Sequence, residues 1–326
     1  MKRICLTVLS LCFALSSTAQ DETVASSAEL ARELDQRYAN IERLREDLGI
    51  YDAALAEAYS DTAAFLSEQQ RYDEAIALYD QALQITRINS GLYSADQLPI
   101  IQALISNNRS LKDWREVDKL QELNLHMQRR MYGSADSRYI ASLGEYGRWK
   151  LQVLHENLLD VGFYALNNSA EDLSETYGFA IRELDASGTG TAQQLVELLS
   201  VKSEADLLMA RAIAQTPYTA FEGTASRYIN QQRCTQFRNS AGQLETRCVN
   251  VRVENPQYRA SQRNAKNFAL ARYTRAINDS IERLMALRDG NPDFSIAQVE
   301  EIDSRIATLQ LQSEQLRRSG LRGSLL

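Results

Sequence analysis

Residues that interrupt helices are scarce in this sequence. It has only 4 prolines and 14 glycines among 326 residues, and both are well below average usage. Residues that favour helices, such as Ala, Leu, Glu, Gln and Arg, are abundant instead. The composition predicts a mostly helical protein, and the length suits about two domains or one elongated repeat array.

Histidine and cysteine are also scarce, which limits the chemistry. The only histidines, His126 and His155, lie on separate predicted helices with no cysteine nearby, so the sequence predicts no zinc site and few general bases. Phosphate-binding loops, dinucleotide-binding glycine motifs, nucleophile elbows and HExxH motifs are missing. We therefore predict no catalytic residues, no metal and no cofactor. An envelope enzyme, or an enzyme subunit, acting on cell-wall or polysaccharide material is the alternative.

The first residues have the pattern of an export signal. Two basic residues precede an apolar stretch, Ile4 to Leu15, which is too short to span a bilayer as a helix. Small residues in Ser17-Thr18-Ala19 predict cleavage after Ala19 and a periplasmic or secreted protein without a transmembrane segment. An uncleaved anchor and a lipoprotein modified at Cys12 are the alternatives, although Leu11 is larger than lipoprotein signals favour.

Two cysteines remain after that cleavage, Cys234 and Cys248. In an exported chain such a pair predicts a disulfide, with two buried thiols as the alternative. A turn signal at residues 239–242 separates two extended runs, and a hairpin centred there places Cys234 opposite Cys248 and Ile229 opposite Val253. The disulfide would close a loop of about 15 residues and contribute ~3 kcal/mol.

A helical pattern recurs between residues 50 and 155. Aromatic and small residues alternate at helical spacing from residue 71 to 85, and a second copy follows 42 residues later. The positions that we expect to pack between helices are Tyr72, Ala75, Tyr79, Ala82, Trp114 and Val117. Gly91 and Gly133 have the same separation, and Ser94-Ala95-Asp96 recurs 40 residues later.

This pattern resembles the tetratricopeptide repeat, and its period resembles the longer repeats of the kinesin light chain type. Ala63 replaces the family's glycine in the first helix, and no consensus proline closes the repeats. The resemblance implies an all-α superhelical array, to which the sequence adds a disulfide-stapled β-hairpin insert and a C-terminal helical hairpin. An array of helical hairpins without this kinship is the alternative.

The expected organisation has five parts. They are a signal peptide at 1–19, a repeat domain at 20–215, a β-hairpin segment at 216–257, a helical hairpin at 258–318 and a flexible tail at 319–326.

Arrays of this family present a concave groove formed by the first helix of each pair. By register, the expected groove residues are Gln102, Ser106, Arg109, Arg138, Ser142, Glu145 and Trp149. Polar residues with a tryptophan suit an extended peptide. A solvated face with Trp149 buried against the next helix is the alternative.

Charge is unevenly distributed along the chain. The formal net charge is −7, but residues 20–200 carry 16 basic and 30 acidic side chains, a balance of −14, whereas residues 201–326 carry 18 and 13, a balance of +5. The basic patch comprises Arg227, Arg233, Arg238, Arg247 and Arg252. It could dock on the acidic repeats, contact an anionic envelope component or acidic protein, or remain solvated. Nucleic acid is not a predicted partner.

The sequence as a whole predicts a periplasmic scaffold that binds a protein or peptide in its groove without catalysis. A structural homo-oligomer held by residues 258–316 is a further alternative, because the last two predicted helices carry long apolar stripes.

Overall fold

The structure is a computed structural model that describes the backbone of residues 14–323 and the side chains of residues 28–318. Within these residues it is built almost wholly of α-helices, with one two-stranded antiparallel sheet. The predicted fold class is therefore confirmed. None of the described helices is long and apolar enough to cross a membrane. The chain divides into two compact units, Met1–Gly133 and Ser134–Leu326.

The described part of the first unit is a series of stacked helices. They are α1 (Ala14–Leu48), α2 (Ala53–Glu68), α3 (Tyr72–Ser90), α4 (Gln97–Leu111) and α5 (Trp114–Tyr132). Each helix packs against the next along the chain, and α2 also contacts α4. Helices α2 and α3 form one hairpin, and α4 and α5 form the next. Helix α1 begins at Ala14, and no proline or glycine interrupts residues 14–25.

Glycines end three of these helices at intervals of 42 residues. Gly49, Gly91 and Gly133 have φ angles of 90°, 85° and 85°, which L side chains rarely adopt. Each glycine amide donates a hydrogen bond to the carbonyl of an arginine four residues earlier. Those arginines are Arg45, Arg87 and Arg129. The 42-residue period recognised in the sequence therefore extends back to Gly49.

Small side chains lie between the helices of the first unit. Four of the positions with no exposed area are Ala63 in α2, Ala75 and Ala82 in α3, and Val117 in α5. Tyr79 is buried beside them, whereas Tyr72 and Trp114 are partly buried. Because alanine leaves little bulk at a helix contact, it allows two helix backbones to approach closely, and the larger rings fill the space that remains.

The second unit is organised around one central helix. Its elements are α6 (Ser137–Glu156), α7 (Phe163–Ser187), α8 (Ala192–Gln215), a 3₁₀ turn (Tyr218–Ala220), β1 (Tyr228–Arg238), β2 (Leu244–Glu254), α9 (Pro256–Gly290) and α10 (Ile296–Gly323). Helix α8 packs against α6, α7, α9 and α10. Its Asp206 is buried and accepts hydrogen bonds from Ser174 Oγ at 2.5 Å and Lys202 Nζ at 2.6 Å. The carboxylate therefore has partners in the core, as a buried charge requires.

Two glycines on α6 allow its neighbours to approach closely. A Cβ atom at Gly144 would clash with the Glu197 carboxylate, and one at Gly147 would clash with the Tyr177 phenol. Burial raises the pKa of Tyr177, so the phenol stays protonated and donates a hydrogen bond to the Leu143 carbonyl. The close contact of α6 with Tyr177 of α7 and Glu197 of α8 thus depends on the absence of side chains at Gly144 and Gly147.

The β-hairpin has the predicted register and disulfide. Strands β1 and β2 pair with Cys234 opposite Cys248 and Ile229 opposite Val253, and the two cysteines are linked. Asn255 then caps α9, where its side chain accepts a hydrogen bond from the Gln257 amide. The predicted register and the predicted disulfide depend on each other, since only this register places the two cysteines opposite one another.

The structure describes the two chain ends to different extents. Residues 1–13, which include most of the predicted signal peptide, lie outside the described residues, and cleavage after Ala19 stays a prediction. At the other end, α10 continues to Gly323, and the flexibility expected of residues 319–326 stays a prediction. No proline follows residue 292 to stop the last helix.

Candidate functional site

An open groove in the first unit is the strongest candidate for a binding site. It has a volume of about 630 Å³ and lies between α2 and α4, with α3 beneath. The α2 side contributes Ala53, Ala56, Glu57, Ser60, Asp61 and Ala64; α3 contributes Tyr79, Thr86, Asn89 and Ser90; and α4 with its N-cap residue contributes Asp96, Pro99, Ile100 and Ala103. Helices α2 and α4 are the first helices of consecutive pairs, so this is the kind of surface that the repeat pattern predicted.

Small side chains leave the groove open. Four of its lining residues are alanines: Ala53, Ala56, Ala64 and Ala103. The deeper part is formed by buried residues, including Tyr79 and Ile100. Burial raises the pKa of Tyr79, so its ring presents a neutral phenol. A groove with an alanine-lined wall leaves room for the backbone of a ligand to approach the helices.

All charged residues that line this groove are acidic. They are Glu57 and Asp61 on α2 and Asp96, the N-cap residue of α4, and all three are exposed. Asp96 accepts a hydrogen bond from Ser94 Oγ at 2.8 Å. Glu57 and Asp61 lie four residues apart on one face of α2, and no described side chain forms an ion pair with either. The groove is therefore a site of negative potential with available acceptor oxygens.

The predicted groove residues of the first unit do not line this cavity. Gln102, Ser106 and Arg109 are exposed on α4, but the groove face of that helix consists of Pro99, Ile100 and Ala103. The predicted stripe is rotated about the helix axis from the face that meets α2. The predicted residues lie on the same helix but outside this cavity, and their role in binding stays a prediction.

Two predicted groove residues of the second unit are corrected by the structure. Ser142 is 4% exposed and Trp149 is 1% exposed, so neither side chain is accessible to a ligand. The two residues are seven positions apart and share the face of α6 that is turned into the core. Arg138 and Glu145 are exposed on the same helix, and the Arg138 guanidinium pairs with Asp136, the N-cap residue.

The five arginines of the basic patch lie on or beside the β-hairpin and are all exposed. Arg227 and Arg252 stack on the Tyr228 ring, and Arg238 donates to the Gly242 carbonyl. No described carboxylate forms an ion pair with Arg233 or Arg247. The hairpin thus presents positive charge that this chain leaves uncompensated in the part that the structure describes.

The two histidines contact an aromatic ring and a carboxylate. No three His, Cys, Asp or Glu side chains among them are close enough to hold a metal ion. His126 packs against Tyr93, and His155 Nε2 lies 3.4 Å from a Glu204 oxygen. The groove carboxylates are therefore spread along the cavity rather than gathered at one point.

No protein-family model matches this sequence, and no curated protein sequence matches it. Solved structures that it resembles include a putative kinesin light chain with nearly identical TPR-like repeats from Podospora anserina and a variant of that protein, each 13% identical with a TM-score of 0.37. Each alignment covers 60% of this chain and 83% of the other. BtubC (BKLC) from P. vanneervenii is 14% identical, with a TM-score of 0.33 and coverage of 60% and 84%.

Proposed function

We propose that this protein is an exported interaction module that binds an extended, positively charged peptide segment in the groove between α2 and α4. The observation that carries the proposal is the charge of this cavity. Three exposed carboxylates line it, none of its lining residues is basic, and its volume of about 630 Å³ lies within the range of roughly 300–1,000 Å³ that is usual for ligand sites.

The chemistry of the groove favours lysine and arginine side chains. Carboxylates accept charge-assisted hydrogen bonds from ammonium and guanidinium groups, and arginine can bind one carboxylate with two parallel bonds. The carboxylates of Glu57, Asp61 and Asp96 are exposed, so each ion pair contributes modestly and is screened by salt. Binding would therefore depend on several pairs along an extended ligand, and it would weaken as ionic strength rises.

The predicted export would place this protein in the cell envelope or outside the cell. The predicted signal peptide and the Cys234–Cys248 disulfide both suit an oxidising compartment outside the cytoplasm. The proposed partner is accordingly a segment of another envelope or secreted protein, recognised on a preformed scaffold without chemistry.

A polysaccharide-cleaving enzyme is the second candidate, because the groove does bring carboxylates from two helices into one cavity. General-acid catalysis requires a carboxyl group that is protonated near neutral pH, and burial in an apolar pocket is the usual means. Glu57, Asp61 and Asp96 are exposed in an open groove instead. This arrangement favours binding over catalysis.

The proposal is tested with two fluorescein-labelled ten-residue peptides, one alternating Arg and Ala and one alternating Glu and Ala. Fluorescence anisotropy should detect binding of the Arg peptide only, and raising NaCl from 50 to 500 mM should weaken it. Glu57→Gln combined with Asp61→Asn should raise Kd by about 3- to 10-fold, since two exposed pairs are lost. Ala64→Phe should also weaken binding by filling the groove.

The matched control neutralises Glu46 and Asp47, two exposed acids at the end of α1 that do not line the groove. Glu46→Gln with Asp47→Asn changes the net charge equally and should leave Kd unchanged. If the two double variants weaken binding to the same degree, attraction to overall charge explains the result and the groove assignment is wrong. Cleavage of a polysaccharide substrate that Glu57→Gln abolishes would support the enzyme instead.

A further inference from the structure

The β-hairpin of the second unit is almost entirely exposed to solvent. Every residue of β1 is exposed, and so is every residue of β2 except Val251 and Val253, which are partly exposed. The two strands pair only with each other in the described sheet. An uncovered two-stranded hairpin is marginally stable in water, and here the disulfide supplies part of the missing stability.

The tip of the hairpin exposes large apolar side chains on both of its faces. Phe237 lies opposite Glu245, and the next pair towards the turn is Arg238 opposite Leu244. Because successive pairs face opposite sides of a ribbon, Phe237 and Leu244 lie on different faces. They are 44% and 65% exposed. A protein that covers one face or one edge of a ribbon would leave one of these two residues in water.

Positive charge surrounds this apolar tip. Arg238 and Arg247 flank it on opposite faces, and Arg233 lies two pairs further from the turn than Arg247, on the same face. The hairpin from Arg227 to Glu254 has five arginines and two glutamates. Glu245 accepts a hydrogen bond from Asn239 Nδ2 near the tip, and Glu254 pairs with Arg259 at the base.

From this geometry we propose that the hairpin tip binds the surface of a membrane that contains negatively charged lipids. Phe237 and Leu244 enter the headgroup region from either side of the ribbon, and the arginines contact lipid phosphates. Arginine suits this position because its planar guanidinium binds phosphate with two hydrogen bonds and its stem tolerates apolar surroundings. Amphipathic elements with this combination bind at interfaces.

Two features of the hairpin favour a membrane surface over a second copy of the hairpin or an acidic protein as its partner. A second copy of the hairpin would bring like charges together, which disfavours pairing between copies. The unpaired backbone groups at both strand edges need water or headgroups as partners, so the hairpin stays at the interface and does not enter the hydrocarbon. An acidic protein could match the charge, but covering a single face would not cover the apolar residues on both faces of the tip.

Vesicle co-sedimentation tests the proposal on the protein as recovered from the producing cells. The vesicles contain either phosphatidylcholine alone or phosphatidylcholine with phosphatidylglycerol. We expect binding to the anionic vesicles only. Arg238→Gln with Arg247→Gln should reduce the partition coefficient by about 25-fold, from roughly fivefold per arginine. Phe237→Ser with Leu244→Ser should reduce it by about tenfold or more, because the apolar contact is lost.

A charge-matched control replaces Arg115 and Arg129, two exposed arginines of α5, with glutamine and should leave vesicle binding unchanged. Non-reducing peptide mapping should find Cys234 linked to Cys248 in every variant, so a loss of binding cannot be assigned to a misformed hairpin. Equal binding to neutral vesicles, or binding that both tip variants retain, would overturn the proposal. Retention on immobilised polyglutamate without any vesicle binding would identify an acidic protein as the partner instead.

Discussion

At the scale of single residues, backbone conformation sets the turn between repeats. Gly91 has φ 85° and ψ 174°, and Gly133 has φ 85° and ψ 169°. This region of backbone space is essentially restricted to glycine. No atom lies within 4 Å of the position that a Cβ would take at either residue. The glycines are therefore required by their backbone angles, and not by crowding.

Gly91→Ala is expected to lower the free energy of unfolding by about 1–3 kcal/mol, the cost of holding an L residue at these angles. Urea unfolding followed by circular dichroism measures the change. The matched control is Gly290→Ala, a helical position where a Cβ also meets nothing and φ is not positive. Alanine there should be neutral or stabilising by up to ~1 kcal/mol. Equal destabilisation by both substitutions would contradict the argument.

At the scale of helices and strands, most of the fold could be predicted because each element has a recognisable pattern within its own stretch of sequence. Buried stripes at helical spacing marked the helices, and the paired cysteines marked the strand register. Which face of a helix is buried was harder to predict, as Trp149 of α6 shows. A tryptophan among polar residues suggested a ligand surface. The neighbours of α6 instead pack closely at Gly144 and Gly147, and the face that carries Trp149 is buried.

The groove itself could not be predicted from one helix. Its lining combines Glu57 and Asp61 of α2 with Ala103 of α4 and its N-cap residue Asp96, and no local spacing relates the residues of one helix to those of the other. A sequence signal did exist for the repeat boundary. An arginine precedes a glycine by four positions at Arg45, Arg87 and Arg129, and aligning the repeats on these positions would have related α2 directly to α4.

The hairpin provides the prediction at this scale. Reducing the Cys234–Cys248 disulfide, which spans a sequence separation of 14, should cost the hairpin about 3 kcal/mol. Since the uncovered strands have little other support, their amides should exchange with solvent roughly 100-fold faster, as that free energy implies. Hydrogen exchange with mass spectrometry measures this, and α8, which the disulfide does not touch, is the internal control. Unchanged protection in β1 and β2 after reduction would show that the disulfide is not what holds them.

At the scale of the whole molecule, charge separates along the chain in a way that the net value hides. Cleavage after Ala19 would remove two basic residues, leaving 34 basic and 43 acidic side chains and a net charge of −9. Residues 20–200 account for the negative charge, and the hairpin region carries positive charge. The acidic groove and the basic tip thus suit different partners, a cationic peptide and an anionic lipid surface, so one chain could hold a protein at a membrane.

Such a role depends on export, which makes processing the decisive prediction for the whole protein. Expressed with its own N-terminus in a Gram-negative host, the protein should be recovered from the periplasm with Gln20 as its first residue. Cys5 and Cys12 would be gone, and thiol titration should find no free thiol before reduction and two after it.

Ala19→Arg should block processing, because signal cleavage requires a small residue at that position. Gln20→Ala, one residue further, should be processed normally. A cytoplasmic product with free thiols at Cys234 and Cys248 would refute export, and with it the oxidising compartment on which the hairpin depends.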